Sequence, residues 1–329
     1  MPSSNRYAAA HANPHGPGDD RPTALQIIRD ENLSGALRNK IVLITGTSSG
    51  IGLETPRVMA ATGARVFCAA RNVDKNRAAL SNIAGDVKTL ELDLASFTGI
   101  RHAAAEFLSR SGGRLHILIN NADVMVLPER CVTRDGVEMQ FGVNHLGHFL
   151  LFQMLKDAML DSASEDPEFP YRVVNVSSSG HRMSGIHVGS YNLDAVSGEH
   201  AYTPFKAYGE SKTANIYMAL KIERLYGSRR VHGFAVSPEN VYTEVQRHLD
   251  SGWMERYEID EQKRKSFKSV EQGAATTVYA AVSQEFMGRG AISGHGYARH
   301  AFNKELEERL WMDSCRMIGV VEEGNEWCI

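Results

Sequence analysis

The chain has 329 residues, of which 43% are hydrophobic and 23% are charged, and its formal net charge is −3. This balance is typical of a globular protein with a sizeable core, and it argues against a chain built around nucleic acid. No run approaches the ~18 consecutive apolar residues that a membrane-spanning helix requires. Four widely separated cysteines lack any metal-ligand spacing, so we expect neither a metal site nor a disulfide framework. They are Cys68, Cys131, Cys315 and Cys328.

The N-terminal region, residues 1 to about 22, is rich in Pro, Gly, His, Asn and Ala and lacks periodicity. We predict a flexible tail there. Because it has no apolar core of the kind that a signal peptide needs, a cytoplasmic location is expected. Residues 23–329 are predicted to form a single domain, since no linker or internal repeat divides them. Two stretches, 182–204 and 242–268, look like insertions that could face a substrate.

Short apolar runs alternate with helical patterns along most of the chain. The first run, Ile41 to Thr45, is β-branched and is followed by a glycine-rich turn, a helical segment and a second run. Repetition of this unit predicts an α/β fold with one doubly wound parallel sheet and helices on both faces. The predicted strands span 41–45, 65–70, 87–92, 114–120, 172–177 and 230–236. The predicted helices span about 51–62, 98–110, 136–160 and 207–226.

The turn after the first strand reads TGTSSGIG over residues 45–52. Gly46 would permit a tight turn, Gly50 would let the backbone approach a pyrophosphate, and Gly52 would let the helix pack close to the strand. The unpaired N–H groups at the start of the helix favour phosphate oxygens. The pattern predicts a Rossmann-type dinucleotide site, although an ordinary glycine-rich turn would also fit. The predicted cofactor contacts are Gly46, Ser48, Ser49, Gly50, Ile51 and Gly52.

The end of the second predicted strand indicates which dinucleotide is bound. A site selective for NAD usually has an acidic residue there, which holds the ribose 2′-hydroxyl. This strand ends in Ala70 and is followed by Arg71, and a guanidinium pairs well with a phosphate. We therefore predict NADP(H) as the cofactor. The alternative is that Arg71 is an ordinary solvated surface residue.

Tyr208 and Lys212 are four residues apart in a helical pattern, so both side chains fall on one face. A tyrosine has an unperturbed pKa of about 10. A neighbouring ammonium group favours the phenolate and is expected to lower the pKa of Tyr208. Such a tyrosine can exchange a proton with an alcohol or carbonyl oxygen near neutral pH. This spacing is common by chance, so alone it is a weak signal.

Taken together, the motifs resemble those of the short-chain dehydrogenase/reductase family. The matches occur in family order and cover roughly residues 40 to 245. FGVNHLGHFLL at 141–151 and NKELEERLWMDSC at 303–315 are similar to a branch that contains retinol-dehydrogenase-like and fungal biosynthetic reductases. The family matches are TGTSSGIG at 45–52, DL at 93–94, NNA at 120–122, Asn144, SS at 177–178, YxxxK at 208–212 and PxxVxT at 238–243.

The resemblance implies four catalytic residues. Tyr208 would be the general acid in reduction or the base in oxidation. Lys212 would lower the pKa of that tyrosine and hold the nicotinamide ribose. Ser178, the second serine of its pair, would hydrogen-bond the substrate oxygen. Asn144 would anchor a water molecule in the proton relay behind Lys212.

The resemblance also implies four cofactor contacts outside the glycine turn. Asp93 would contact the adenine, and Asn120 would lie at the ribose of the adenosine half. Val241 and Thr243 would hold the carboxamide and so decide which nicotinamide face points at the substrate. Each residue also has an ordinary structural interpretation, such as a turn asparagine or an aspartate cap.

Three positions depart from the family pattern. Asp123 and Glu239 occupy turns where glycine is usual, and Pro56 lies where a small helix former is usual. Glycine tolerates a positive φ, so we expect the two acidic residues to strain their turns. Their carboxylates are also expected to repel a phosphorylated cofactor. Pro56 removes a backbone donor and could kink its helix.

The sequence thus predicts an NADP(H)-dependent oxidoreductase that interconverts a carbonyl and a secondary alcohol, with a substrate from secondary metabolism as one option. The chain could act as a homodimer. One rival is a non-redox catalyst on the same scaffold, for dehydration, epimerisation or cyclisation. Another is a protein that binds NADP(H) and regulates without turnover. Side chains that hint at an apolar small-molecule substrate are Tyr191, Tyr202, Phe205, Tyr242, Trp253, Met254 and Tyr257.

Overall fold

A parallel sheet of seven strands forms the centre of the protein in a computed structural model, in the order β3-β2-β1-β4-β5-β6-β7. The structure describes residues 6–198, 200–249, 252, 255, 259–293 and 296–321. The predicted α/β fold is confirmed, with one short edge strand more than the sequence indicated. The strands are β1 Ile41–Thr45, β2 Arg65–Ala70, β3 Val87–Glu91, β4 Ile117–Asn120, β5 Tyr171–Val176, β6 Val231–Val236 and β7 Ala291–Ser293.

Helices cover both faces of the sheet, and the long ones begin at side-chain caps or glycines. The helices from Gly50, Phe97 and Pro204 match the predicted segments to within a few residues. The predicted helix at 136–160 is divided into a short helix, a π-helical turn at Gly142–Leu146 and the helix from Gly147. The helices are α1 Ala8–Ala12, α2 Ala24–Asp30, α3 Gly50–Ala61, α4 Val73–Leu80, α5 Phe97–Ser111, α6 Met139–Phe141, α7 Gly147–Glu165, α8 Pro204–Tyr226, α9 Glu261–Ser266, α10 Val270–Val282 and α11 Lys304–Ile318.

Two apolar cores lie on opposite faces of the sheet. All five residues of β1 are buried, as a central parallel strand requires. Successive side chains of the strand point to opposite faces. Leu43 therefore lies in the core formed with α5, α7, α8 and α11, and Ile44 lies in the core formed with α2, α3 and α10. The strand order reverses between β1 and β4. In such sheets ligands bind at the carboxyl ends of the strands beside this switch point.

Residues 6–22 pack on the domain, in contrast to the flexible tail predicted for residues 1 to about 22, of which residues 1–5 lie outside the described residues. Arg21 is buried, and its guanidinium donates to the carbonyl of Ser266 at 2.8 Å. The backbone N–H of Gly18 donates to Gln272 at 2.9 Å. Tyr7 donates to Asp30 at 2.8 Å. These anchors are single polar contacts to residues distant in sequence, so periodicity and composition do not reveal them.

Within the described residues, no helix has the length and apolar character needed to cross a membrane. Cys68, Cys131 and Cys315 form no disulfide with one another. Cys328 lies outside the described residues, as do Trp253, Met254 and Tyr257.

Candidate active site

A cleft of about 620 Å³ opens at the carboxyl ends of β1, β4, β5 and β6, and the glycine turn forms one wall. Gly46 has φ +75°, and a Cβ there would lie 2.6 Å from the Cα of Ala122. Gly50 also has a positive φ, of +53°. A Cβ on Gly52 would lie 2.0 Å from the Gly46 carbonyl oxygen. Only glycine fits at Gly46 and Gly52, and the positive φ favours glycine at Gly50.

Most of the predicted cofactor contacts line this cleft. Arg71 stands at one end, and two basic residues that the sequence did not single out, Lys75 and Arg247, line it as well. Lys75 and Arg247 could be identified only from the way the loops after β2 and β6 meet in the fold, which the sequence alone does not show. The predicted contacts on the cleft wall are Gly46, Ser48, Ser49, Gly50, Ile51, Gly52, Arg71, Tyr208, Val241 and Thr243.

Asn120 and Asp93 are absent from the cleft wall. Asn120 is buried at the end of β4, and its amide donates to the Asn175 side chain at 2.8 Å. Because strand side chains alternate, the next residue, Asn121, reaches the cleft instead. The Asp93 carboxylate caps the backbone N–H of Ala95 at 3.1 Å. The Asn120 and Asp93 side chains thus make contacts within the protein, and their cofactor contacts stay predictions. Lys212, another predicted contact, does not line the cleft wall either.

Tyr208 and Lys212 lie one turn apart on α8, which begins with a Thr203 cap and a proline in its first turn. Both residues are buried. The Lys212 ammonium donates to the Val176 carbonyl at 3.2 Å and pairs with the Asp123 carboxylate at 2.9 Å. It lies 5.4 Å from the centre of the Tyr208 ring. The Ser178 and Asp123 side chains both lie close enough to the Tyr208 hydroxyl to influence its pKa.

The pKa of Tyr208 is raised well above its ordinary value, first by burial and then by the Asp123 carboxylate. The hydrogen bond from Ser178 acts in the opposite direction without reversing the shift. The prediction that Lys212 lowers this pKa is therefore wrong for the chain alone. The physical reason is burial of the phenol, to which the Asp123 carboxylate, paired with Lys212, adds. Tyr208 is consequently a phenol rather than a phenolate at neutral pH.

The other two predicted catalytic residues hold the loops around Tyr208. Ser178 lies just after β5, and its hydroxyl oxygen accepts from the Gly180 N–H at 3.0 Å. Asn144 lies in the π-helical turn, a distortion that often occurs at functional sites. Its side chain is bonded to both the N–H and the carbonyl of Val124, at 2.8 and 2.9 Å, and donates to Ser211 at 3.0 Å. This clamp fixes the segment that carries Asp123.

The departures from the family pattern have unequal consequences. Glu239 has φ +67°, so its backbone is in the region that favours glycine, as expected. Asp123 has no positive φ, so the strain predicted there is absent. The predicted repulsion is also weakened, because Glu239 pairs with Lys268 at 2.9 Å and Asp123 pairs with Lys212. Pro56 is buried inside α3 beyond the first turn, and the helix continues through it to Ala61.

Replacing Glu239 with glycine tests whether backbone strain or the ion pair with Lys268 has the larger effect on stability. The change relieves a strain of about 1–2 kcal/mol but leaves the Lys268 ammonium, 2% exposed, without its carboxylate, at about 3–5 kcal/mol. We expect Glu239→Gly to lower the free energy of unfolding by about 2 kcal/mol. Denaturant unfolding measures this, and Glu239→Gly combined with Lys268→Met is expected to recover the loss. A single variant more stable than the wild type would show that backbone strain dominates.

Comparison with known proteins gives consistent matches. A family model described as short chain dehydrogenase matches residues 40–193. The chain is 42% identical over 335 residues to the short-chain dehydrogenase/reductase prx1 of Penicillium roqueforti, covering 96% of each chain. It is 37% identical to retinol dehydrogenase 12 of Mus musculus, covering 85% of this chain and 87% of that one. An uncharacterized protein from Mycobacterium paratuberculosis has a solved structure with a TM-score of 0.66 at 28% identity, over 85% of this chain and 94% of that one.

Proposed function

The chain belongs to the short-chain dehydrogenase/reductase family, in its retinol-dehydrogenase-like branch, and we propose that it is an NADP(H)-dependent reductase of a carbonyl group on an apolar small molecule. The observation that carries the proposal is the cluster of Ser178, Tyr208, Lys212 and Asp123 beside a glycine-lined cleft, in which Lys212 pairs with Asp123 and lies 5.4 Å from the centre of the Tyr208 ring. A cytoplasmic location, a homodimer and a substrate from secondary metabolism stay predictions.

The glycine turn supports a dinucleotide in the cleft. Side chains at Gly46 and Gly52 would collide with backbone, so glycine at these positions lets the turn close tightly and the helix pack against the strand, as in dinucleotide-binding turns. The first N–H groups of α3 face the same cleft and favour phosphate oxygens. When bound there, NADPH would supply the hydride that reduces a carbonyl carbon.

The chain's own contribution is to grip the substrate oxygen and protonate it. Ser178 and Tyr208 both line the cleft. A carbonyl oxygen at this point would accept hydrogen bonds from both groups, which stabilises the negative charge that develops as the carbonyl is reduced. Tyr208 would then transfer its proton to that oxygen. Because burial and Asp123 raise the pKa of Tyr208, the phenol keeps its proton at neutral pH, which favours reduction over oxidation.

The basic end of the cleft supports NADPH over NADH. Arg71, Lys75 and Arg247 line it, and no acidic residue ends β2. One carboxylate, that of Glu244, also lines this end, but it pairs with Lys75 at 3.5 Å. A 2′-phosphate would gain charge-assisted hydrogen bonds from Arg71 that a ribose hydroxyl cannot match.

We expect Arg71→Ala to weaken NADPH binding by about tenfold or more and to leave NADH binding nearly unchanged. The reason is that the guanidinium would contact the phosphate that only NADPH carries. Fluorescence titration of both cofactors measures the effect. Arg77→Ala is the matched control, because Arg77 is exposed on α4, pairs with Asp74 and does not line the cleft. Tighter binding of NADH than of NADPH by the wild type would contradict the assignment.

The proposed function is tested by following NADPH consumption with a panel of apolar ketones and identifying the products. We expect NADPH to be consumed and a secondary alcohol to form. Conversion of a compound with no net redox change would instead favour the non-redox catalyst. Tight NADPH binding without conversion of any compound would favour a regulatory protein.

A further inference from the structure

Building on the proposed reductase function, we propose that a second cavity beside Ser178, closed by the N-terminal segment, holds the far end of the substrate. We further propose that the Tyr297 hydroxyl binds a second, neutral oxygen of that substrate there. The cavity encloses about 400 Å³, a volume in the range of small-molecule sites. A substrate would therefore carry one oxygen in the cleft and another in this cavity.

The cavity and the cleft share a wall. Both are lined by Ser177, Ser178 and Ser179 after β5, and by Glu239 and Asn240 after β6. A molecule whose carbonyl contacts Ser178 in the cleft would therefore lie directly beside the second cavity. This placement distinguishes the cavity from an unrelated surface depression.

The N-terminal segment forms the outer wall of the cavity. His11, Pro14 and Arg21 line it. Arg21 anchors the segment, since its guanidinium donates to the carbonyls of Ser266 and Phe267 at 2.8 and 2.5 Å. These donors are directed at the protein backbone, so Arg21 serves to hold the wall in place rather than to bind an anion. The N-terminal segment is thus part of the site and not an appendage.

Tyr297 offers a polar group with no partner inside the described part of the chain. Its hydroxyl oxygen is buried and accepts and donates no hydrogen bond there. Its ring is held between His181 at 5.6 Å and Phe302 at 5.7 Å. The His181 Nδ1–H donates to the Ser178 carbonyl at 2.7 Å, and Nε2 accepts from the Ala298 N–H at 3.3 Å. Tyr297 is therefore positioned rigidly relative to the catalytic serine.

A buried hydroxyl without a partner is costly, and a ligand oxygen would remove that cost. Burial also raises the pKa of Tyr297, so the group remains a neutral phenol that can donate or accept. Two of the charged residues around the cavity are already paired, Glu239 with Lys268 at 2.9 Å and Arg21 with Asp19 at 2.8 Å. Arg182 also lines the cavity and donates through Nε to the Gly296 carbonyl at 2.8 Å. A neutral hydroxyl or carbonyl fits the neutral phenol of Tyr297. The apolar part of the wall consists of Pro14, Ile216, Ala235 and Val236.

The test uses two bicyclic ketones, a decalone and the same decalone with a hydroxyl group on the ring far from its carbonyl. Isothermal titration calorimetry measures their binding to the full chain, and NADPH consumption measures their turnover. We expect the wild type to bind the hydroxylated ketone about tenfold more tightly than the plain one. Tyr297→Phe is expected to abolish this preference and to leave binding of the plain ketone unchanged. Tyr226→Phe, remote from both cavities, is the matched control and is expected to keep the preference.

Equal binding of the two ketones by the wild type would overturn the inference, as would failure to bind either or a preference that survives in Tyr297→Phe. A preference that depends on Tyr297, without any NADPH consumption, would support the cavity and count against the reductase function. Consumption of NADPH with equal binding of both ketones would support the reductase function and count against the cavity. The two proposals can therefore fail separately.

Discussion

Tyr208→Phe is expected to reduce NADPH-dependent turnover of a ketone by at least about 10²-fold while leaving NADPH binding nearly unchanged. Phenylalanine keeps the buried ring and removes only the proton that we propose is transferred to the substrate oxygen. General acid–base catalysis typically contributes about 10²–10⁴ in rate, which sets the size of the loss. Steady-state turnover and NADPH titration, performed on the same preparations, separate the two effects.

Two further variants show whether the loss belongs to proton transfer. Ser178→Ala is expected to lower turnover with little change in NADPH affinity, because its hydroxyl faces the substrate position. Lys212→Ala is expected to lower both, since its ammonium pairs with Asp123 and is proposed to hold the ribose. Tyr226→Phe serves as the tyrosine control outside the cleft. A Tyr208→Phe enzyme that retains more than about a tenth of wild-type turnover would remove Tyr208 from this role.

The central part of the fold was predictable because local signals and tertiary structure agree there. The β-branched run at 41–45 is buried on both faces, and the predicted and observed strands coincide. Sequence patterns did not predict the elements that depend on packing against residues distant in the chain. The helix α10, Val270–Val282, is buried nearly all round between the sheet and α2 and α3, so its sequence shows no clear polar face. The three-residue edge strand β7 is too short for any periodicity.

The site was predictable in its parts and less so in its electrostatics. The glycine turn and the Tyr208–Lys212 spacing are local patterns, and both appear at the cleft. The choice between Asn120 and Asn121 depended on where β4 ends, which a motif does not specify. The direction of the pKa shift of Tyr208 depended on Asp123, which comes from a segment after β4. No single motif contains both residues.

Asp123→Asn is expected to shift the pH dependence of alcohol oxidation with NADP⁺ to lower pH by about 1–3 units, since a like charge at contact distance changes a pKa by that amount. Oxidation needs Tyr208 as a base, and the carboxylate of Asp123 disfavours its phenolate. Asparagine keeps the size of the side chain and an oxygen that can accept from Lys212, while the negative charge is lost. The measurement is the rate of oxidation of a secondary alcohol across the pH range, with unfolding monitored to show that the variant is folded.

The sign of this shift follows from charge. The Asp123 carboxylate raises the pKa of Tyr208 because it disfavours a second negative charge on the phenolate, and so it favours retention of the phenol proton. Removing the charge makes loss of that proton easier, so oxidation proceeds at a lower pH, whereas reduction at neutral pH starts from the protonated phenol in both proteins. Glu244→Gln removes a carboxylate from the far end of the same cleft and is expected to leave the profile unchanged. If Asp123→Asn and wild type gave superimposable profiles, Asp123 would be a structural partner of Lys212 with no part in setting the proton affinity of Tyr208.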